Sequence, residues 1–163
     1  MQVGPMDPYV LWETVVDVTR LYFWRIRSEY PPQQPGDMVT EGLLVTWPQV
    51  GATYLEPWRR DSVTDEERKE ATMQSIRRTA QIRIRPVAEG YVIDVRVIKE
   101  LENLVAPSKS RLPSAVFRQD SDVPDIQDPI AVQDYHVGWI PRGRDAALEQ
   151  EILLQLQARL HRR

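Results

Sequence analysis

The chain has 163 residues, 42% of them hydrophobic and 28% charged, with a formal net charge of −3 and no cysteine. That length suits one domain burying roughly two thirds of the surface its unfolded chain exposes, and no apolar run approaches the roughly 20 residues that cross a bilayer. The missing cysteine excludes disulfides, thiolate metal sites and cysteine nucleophiles, and the acidic balance gives no general attraction for phosphate backbones or anionic membranes.

The opening Met-Gln-Val-Gly-Pro-Met-Asp-Pro has no basic region leading into an apolar core, so it does not read as a secretory signal. Asp7-Pro8 is a helix start, since aspartate accepts from the unpaired first amides and proline suits the first helical position. Leu11, Val15, Val18 and Tyr22 then recur at spacings of three and four, which predicts a helix over 8–20. Tyr22, Trp24 and Ile26 alternate with Phe23, Arg25 and Arg27, as in a strand that ends before Pro31-Pro32. A second strand is predicted where Leu43, Val45 and Trp47 alternate with Gly42, Leu44 and Thr46, and Pro48 ends it or confines it to an edge.

Residues 50–58 are ambiguous, and Trp58-Arg59-Arg60-Asp61 reads as a packed corner. Acidic residues followed by basic ones from Thr64 to Ala71 match the helix dipole and predict one or two helical turns. The organising stretch follows over 72–101. Ile76, Ala80, Ile82 and Ile84 share one face of its first arm, and Tyr91, Ile93, Val95 and Val97 one face of its second. Two such arms joined through a short break at 87–90 predict an antiparallel hairpin.

Four prolines and five aspartates between Ala106 and Gly138 predict a long irregular loop, with Trp139-Ile140-Pro141 anchoring its far end in the core. A last helix is predicted after Asp145, carrying Leu148, Ile152, Leu156 and Leu160 as a stripe. The expected fold class is α+β: a two-layer, mainly antiparallel sheet of about four strands with N- and C-terminal helices packed on one face. One domain over 1–163 is expected, with the irregular loop at about 106–138.

No chemical motif stands out. Asp120, Asp122, Asp125 and Asp128 invite a calcium reading, but Pro124 occupies the third ligand position of an EF-hand spacing and neither its glycine nor its terminal glutamate follows. His136 and His161 are the only histidines, and there is no serine elbow or phosphate-cradling glycine loop. No cofactor or metal is therefore expected. Arg77, Arg83, Arg85 and Arg96 form a basic stripe on the polar face of the hairpin. Nucleic-acid sheets add stacking aromatics to such a face, whereas this one offers Thr79 and Gln81, so cross-strand pairing with Asp94 and Glu100 is expected and nucleic acid is not.

Only Lys69, Lys99 and Lys109 of the 21 basic residues are lysine, a bias suited to bidentate pairing with carboxylates. Of the five tryptophans, Trp12, Trp24, Trp47, Trp58 and Trp139, most are expected in the core. Trp58 beside Arg59 and Arg60 either clips its loop to the sheet or marks a partner surface, because exposed aromatics dominate binding hot spots. Phe117 and Ile130 complete the candidate partner surface as pins for the long loop.

The amphipathic opening helix with Val-Leu-Trp-Glu-Thr-Val-Val-Asp-Val, followed by Val-Thr-Glu-Gly-Leu-Leu-Val-Thr-Trp-Pro, resembles the small α/β domains of bacterial cell-envelope lipoproteins, including BamC-like helix-grip domains of the outer-membrane barrel-assembly machine. Leu-Glu-Pro-Trp-Arg-Arg-Asp-Ser and Trp-Ile-Pro-Arg-Gly-Arg-Asp are similar to an uncharacterised planctomycete protein family, in which a signal and a lipid-attachment cysteine stand upstream. The resemblance implies a non-enzymatic interaction or scaffold domain of the envelope, acting through a protein partner. The same resemblance implies the periplasm or outer-membrane periphery for a trimmed mature form, and the cytoplasm is expected otherwise. The alternative is a hydrolase or transferase using carboxylate acid/base chemistry in a pocket under the 106–138 loop.

Overall fold

A computed structural model describes residues 1–36, 38–53, 55–56, 58–104 and 136–161. The architecture is α+β, with three helices and one antiparallel sheet of seven strands where about four were expected. The central pair is the hairpin, strand β5 at Ile76–Val87 and strand β6 at Gly90–Leu104, in register from Ile76 opposite Leu101 to Val87 opposite Gly90. Gly90 has φ +129, and a Cβ there would run into the backbone of Val3 and Gly4, so only glycine closes the turn while the N-terminal strand passes so near.

The additional strands are short or appended to the long hairpin arms, which is why periodicity alone undercounts them. Strand β1, Gln2–Val3, pairs with β6 at Tyr91 and Val92, and strand β7, His136–Arg144, pairs with the far half of β6. On the other side β5 takes strand β3, Gly42–Thr46, and the two-residue strand β4, Gln49–Val50. Strand β2, Ile26–Tyr30, lies outside β3. It starts later than its alternation predicted because the chain turns out of helix α1, Pro8–Arg20, with Phe23 N–H still donating to Thr19 at 2.9 Å, and this buries Tyr22 and Phe23 side by side.

Helix α1 is capped by Asp7, whose carboxylate accepts from Tyr9 N–H at 2.7 Å. Helix α3, Ala146–Leu160, is capped by Asp145, and helix α2, Asp65–Met73, opens with a capping box in which Thr64 and Glu67 each accept from the other's backbone amide. The hairpin therefore begins at Ile76, a few residues after the predicted start, because Thr72 and Met73 complete the last turn of α2. Leu11, Val15 and Val18 of α1 and Leu148, Ile152 and Leu156 of α3 share one core with Ala80, Ile82, Ile84, Ile93, Val95 and Val97 of the hairpin. All of these are almost completely removed from water.

Two expectations fail at the edges of the described segments. Trp139-Ile140-Pro141 does not anchor in the core: these residues lie in β7, where Ile140 is exposed and Trp139 is stacked by the Arg77 guanidinium, 4.3 Å from the ring centroid. Most of the loop expected at 106–138 falls outside the described residues, but 136–138 already belong to β7.

One inner-row position carries no apolar residue. Arg78 sits between Ile76 and Ala80 and is 1% exposed. Its Nε donates to Asp145 Oδ2 at 2.6 Å, and its Nη1 to Ser62 Oγ at 3.4 Å. Gly51 makes the space, since a Cβ at that position would overlap the guanidinium.

Candidate functional site

Alternation and capping account for the core, but they do not account for where the tryptophans lie. Trp12 alone is buried; Trp24, Trp47 and Trp58 are 76%, 45% and 73% exposed. The expectation of mostly internal indoles is thus overturned. Trp24 falls in the turn after α1, beyond the helical face that meets the core. Trp47 follows Thr46, whose side chain takes the inner side of the sheet, so the pleat sends the indole outward.

Two of these exposed rings, Trp24 and Trp58, border a cleft of about 560 Å³. Its walls come from the end of α1 with Arg20, Leu21 and Tyr22, from Trp24, from Pro48 to Val50, and from Trp58 to Asp61. The cleft therefore collects Trp58, Arg59 and Arg60, three of the five residues singled out in the sequence. The other two, Phe117 and Ile130, lie outside the described residues.

Polar bonds hold the cleft's base. Gln49 Nε2 donates to the Tyr22 carbonyl at 3.0 Å and to Asp61 Oδ2 at 3.4 Å, while Gln49 Oε1 accepts from Trp24 N–H at 3.1 Å. Asp61 Oδ2 also accepts from Arg59 Nη2 at 2.7 Å and from Ala52 N–H at 3.1 Å. Arg59 further donates to the Val50 carbonyl and to Glu56, so its role is to brace the segment. Asp61 Oδ1 is buried and has no hydrogen-bond partner among the described residues. The Tyr22 hydroxyl donates to Glu151 at 3.2 Å; burial first, and then the Glu151 charge, push its pKa up to about 12, so it stays a neutral donor at any ordinary pH.

The rim is cationic. Arg60 and Arg20 are exposed, and Arg20 reaches only Glu29, at 3.9 Å between two exposed side chains. Beside the cleft, the Arg25 guanidinium stands 5.7 Å from the ring centroids of both Trp24 and Trp47, and Arg27 stands 5.4 Å from Trp47. Such stacking leaves the edge N–H groups of each guanidinium directed away from the ring and open to an acceptor. Sequence reading missed Trp24, Arg25, Arg27 and Trp47 as surface residues. The signal was the Trp24-Arg25 pair on the first predicted strand; Trp47, between Thr46 and Pro48, has no arginine near it in sequence.

The basic stripe of the hairpin is different in kind. Arg77 Nε donates to Glu100 at 2.6 Å, Arg83 lies opposite Asp94 in register, and Arg83, Arg85 and Arg96 are exposed. Among the described residues no group of three or more His, Asp or Glu could hold a metal ion, and no described helix is long and apolar enough to cross a membrane. Glu67 and Asp145, which face the same Arg78 guanidinium, line no part of the cleft. Comparison with protein-family models, with curated proteins and with solved structures returns no match.

Proposed function

We propose that the chain is a non-enzymatic interaction domain, in keeping with its resemblance to envelope lipoprotein domains, and that it docks an acidic polypeptide segment of a partner protein in the Trp24–Trp58 cleft. The observation that carries this reading is the pair of indoles, each about three quarters exposed, lining a cleft that Arg20 and Arg60 also line. Tryptophan and arginine are the residues most enriched in binding hot spots, and large exposed indoles weaken solubility unless a partner covers them.

Charge complementarity selects the occupant. In a chain of net charge −3, exposed Arg20 and Arg60 rim this cleft and Arg25 and Arg27 stand beside it, which favours carboxylates over basic or neutral partners. An apolar side chain between the carboxylates would lie against Trp24, Trp58 and Val50. Arg25 already occupies a face of both Trp24 and Trp47, which reduces the ring area available to stacked bases. The location of Glu67 and Asp145 away from the cleft supports a binding role over acid/base chemistry there.

Fluorescence anisotropy with labelled Asp/Glu-rich peptides, each carrying one Phe or Leu, tests this directly. The acidic peptides should bind, and binding should fall about tenfold or more in Trp58→Ala, the loss of about 1.4 kcal/mol or more that a hot-spot indole supplies. Arg60→Glu should weaken binding and flatten its salt dependence. Equal binding of peptides whose acids are replaced by Asn and Gln, or preference for a short oligothymidylate, would overturn the reading.

A further inference from the structure

The interior cluster around Arg78 does not balance its charges. Arg78 and Asp145 have side chains 1% exposed and are joined at 2.6 Å. The Glu67 side chain, 14% exposed, lies 3.6 Å from Arg78 Nη2, on the same guanidinium that Asp145 holds through Nε. One guanidinium therefore faces two carboxyl groups. With both ionised, the interior holds an uncompensated negative charge, an expensive arrangement away from water. Two neighbouring carboxyls relieve it by sharing one proton.

The surroundings decide which group takes that proton. Asp145 makes the short bond to Arg78 Nε, and its other oxygen accepts from Leu148 N–H at 3.1 Å as the cap of α3, so both of its oxygens are engaged as acceptors. Glu67 accepts only from the amides of Val63 at 3.1 Å and Thr64 at 3.5 Å. Arg78 Nη2 makes no hydrogen bond to it or to any other described residue. The remaining charges on the packed elements are engaged elsewhere. Lys99 of β6 pairs with Glu70 at 2.8 Å, Arg144 of β7 with Glu149 at 2.7 Å, and Asp61 of the preceding segment with Arg59.

We infer that Glu67 and Asp145 form a proton-dependent clasp, which ties the start of helix α2 to the start of helix α3 while Glu67 is protonated and loosens when that proton leaves. Burial, then the neighbouring Asp145 charge, raise the Glu67 pKa above the ordinary glutamate range, against the opposing pull of Arg78. Because the folded value lies above the unfolded one, the clasp contributes fully below the ordinary glutamate pKa and is lost as pH rises through the folded midpoint. Ionised Glu67 still accepts from Val63 and Thr64 at the helix N-terminus, where the dipole favours it. What weakens is its hold on Asp145. The segment affected begins at Ser62, whose hydroxyl donates to the Ala52 carbonyl at 3.1 Å, immediately after the wall of the cleft. This inference rests on the interior geometry and not on what the cleft binds.

Carboxyl-carbon NMR through a pH titration, with hydrogen exchange of residues 62–73 corrected for intrinsic rates, tests it on the whole chain. Glu67 should titrate above the ordinary glutamate range. Protection of 62–73 should fall severalfold across the same midpoint, while that of the hairpin stays constant. Glu67→Gln, which imitates the protonated form, should keep the acid-side protection at both ends of the titration. Asp145→Asn, which retains a capping side chain, should return the Glu67 midpoint toward its ordinary value. A Glu67 midpoint in or below the ordinary range, pH-independent protection in the wild type, or a pH step that survives in Glu67→Gln would each overturn the clasp.

Discussion

The Arg78 cluster and the Trp24–Trp58 cleft lie at either end of the same short segment, 58–64, and each inverts the usual distribution of side chains. Inside, a guanidinium occupies a row of aliphatic residues, 1% exposed. Outside, three indoles stand in water. The first is tolerable because Asp145, Ser62 and Glu67 surround the charge; a well-packed apolar replacement of the whole group is often as stable or more so, which makes specificity of placement the better reason to have it. The second is compensated only by Arg25 and Arg27 beside Trp24 and Trp47, while apolar area left exposed forgoes about 25 cal/mol per Å². The interior cluster thus determines where the 58–64 segment sits, and the cleft is what that segment presents.

That contrast can be broken at graded points, with urea unfolding as the readout. Arg78→Met should cost about 3–5 kcal/mol, because it leaves Asp145 and Glu67 buried without their cation; adding Glu67→Gln and Asp145→Asn should recover much of the loss. Gly51→Ala should cost about 1–3 kcal/mol, as its methyl group displaces the Arg78 guanidinium. Trp58→Ala should change stability by no more than about 0.5 kcal/mol, the range for exposed positions. If Arg78→Met were as mild as Trp58→Ala, the cluster would not be what positions the segment.

Most of the fold was legible in the sequence wherever one physical pattern dominated. Alternation placed the Ile82, Ile84, Ile93 and Val95 row inside, Asp7 and Asp145 marked two of the described helix starts, and Thr64 proved to be the cap of α2 where Ser62 or Thr64 had been open, since each satisfies amides that would otherwise be unpaired. Strands β1 and β4, of two residues each, are too short to show a period and exist only because the long hairpin arms offer free edges. The site was less legible. Trp58 with Arg59 and Arg60 was visible as a corner, yet its exposure depends on Asp61 being drawn inward by Gln49 and Ala52, contacts set by folding and not by spacing. Arg78 was passed over for a simple reason: a period-two pattern reads a charged residue in an apolar row as noise, whereas Gly51 and Asp145, both distant in sequence, make room for it and neutralise it.

The central claim, that the exposed indoles form one docking surface for acidic segments, is best tested by following the five tryptophan indole N–H resonances while an Asp/Glu-rich peptide is added to isotope-labelled protein. The account predicts that the Trp24 and Trp58 signals shift together and saturate together, that Trp47 follows through Arg25, and that Trp12 in the core does not move. Shifts confined to Trp139, or no saturable shift at Trp24 and Trp58, would contradict it.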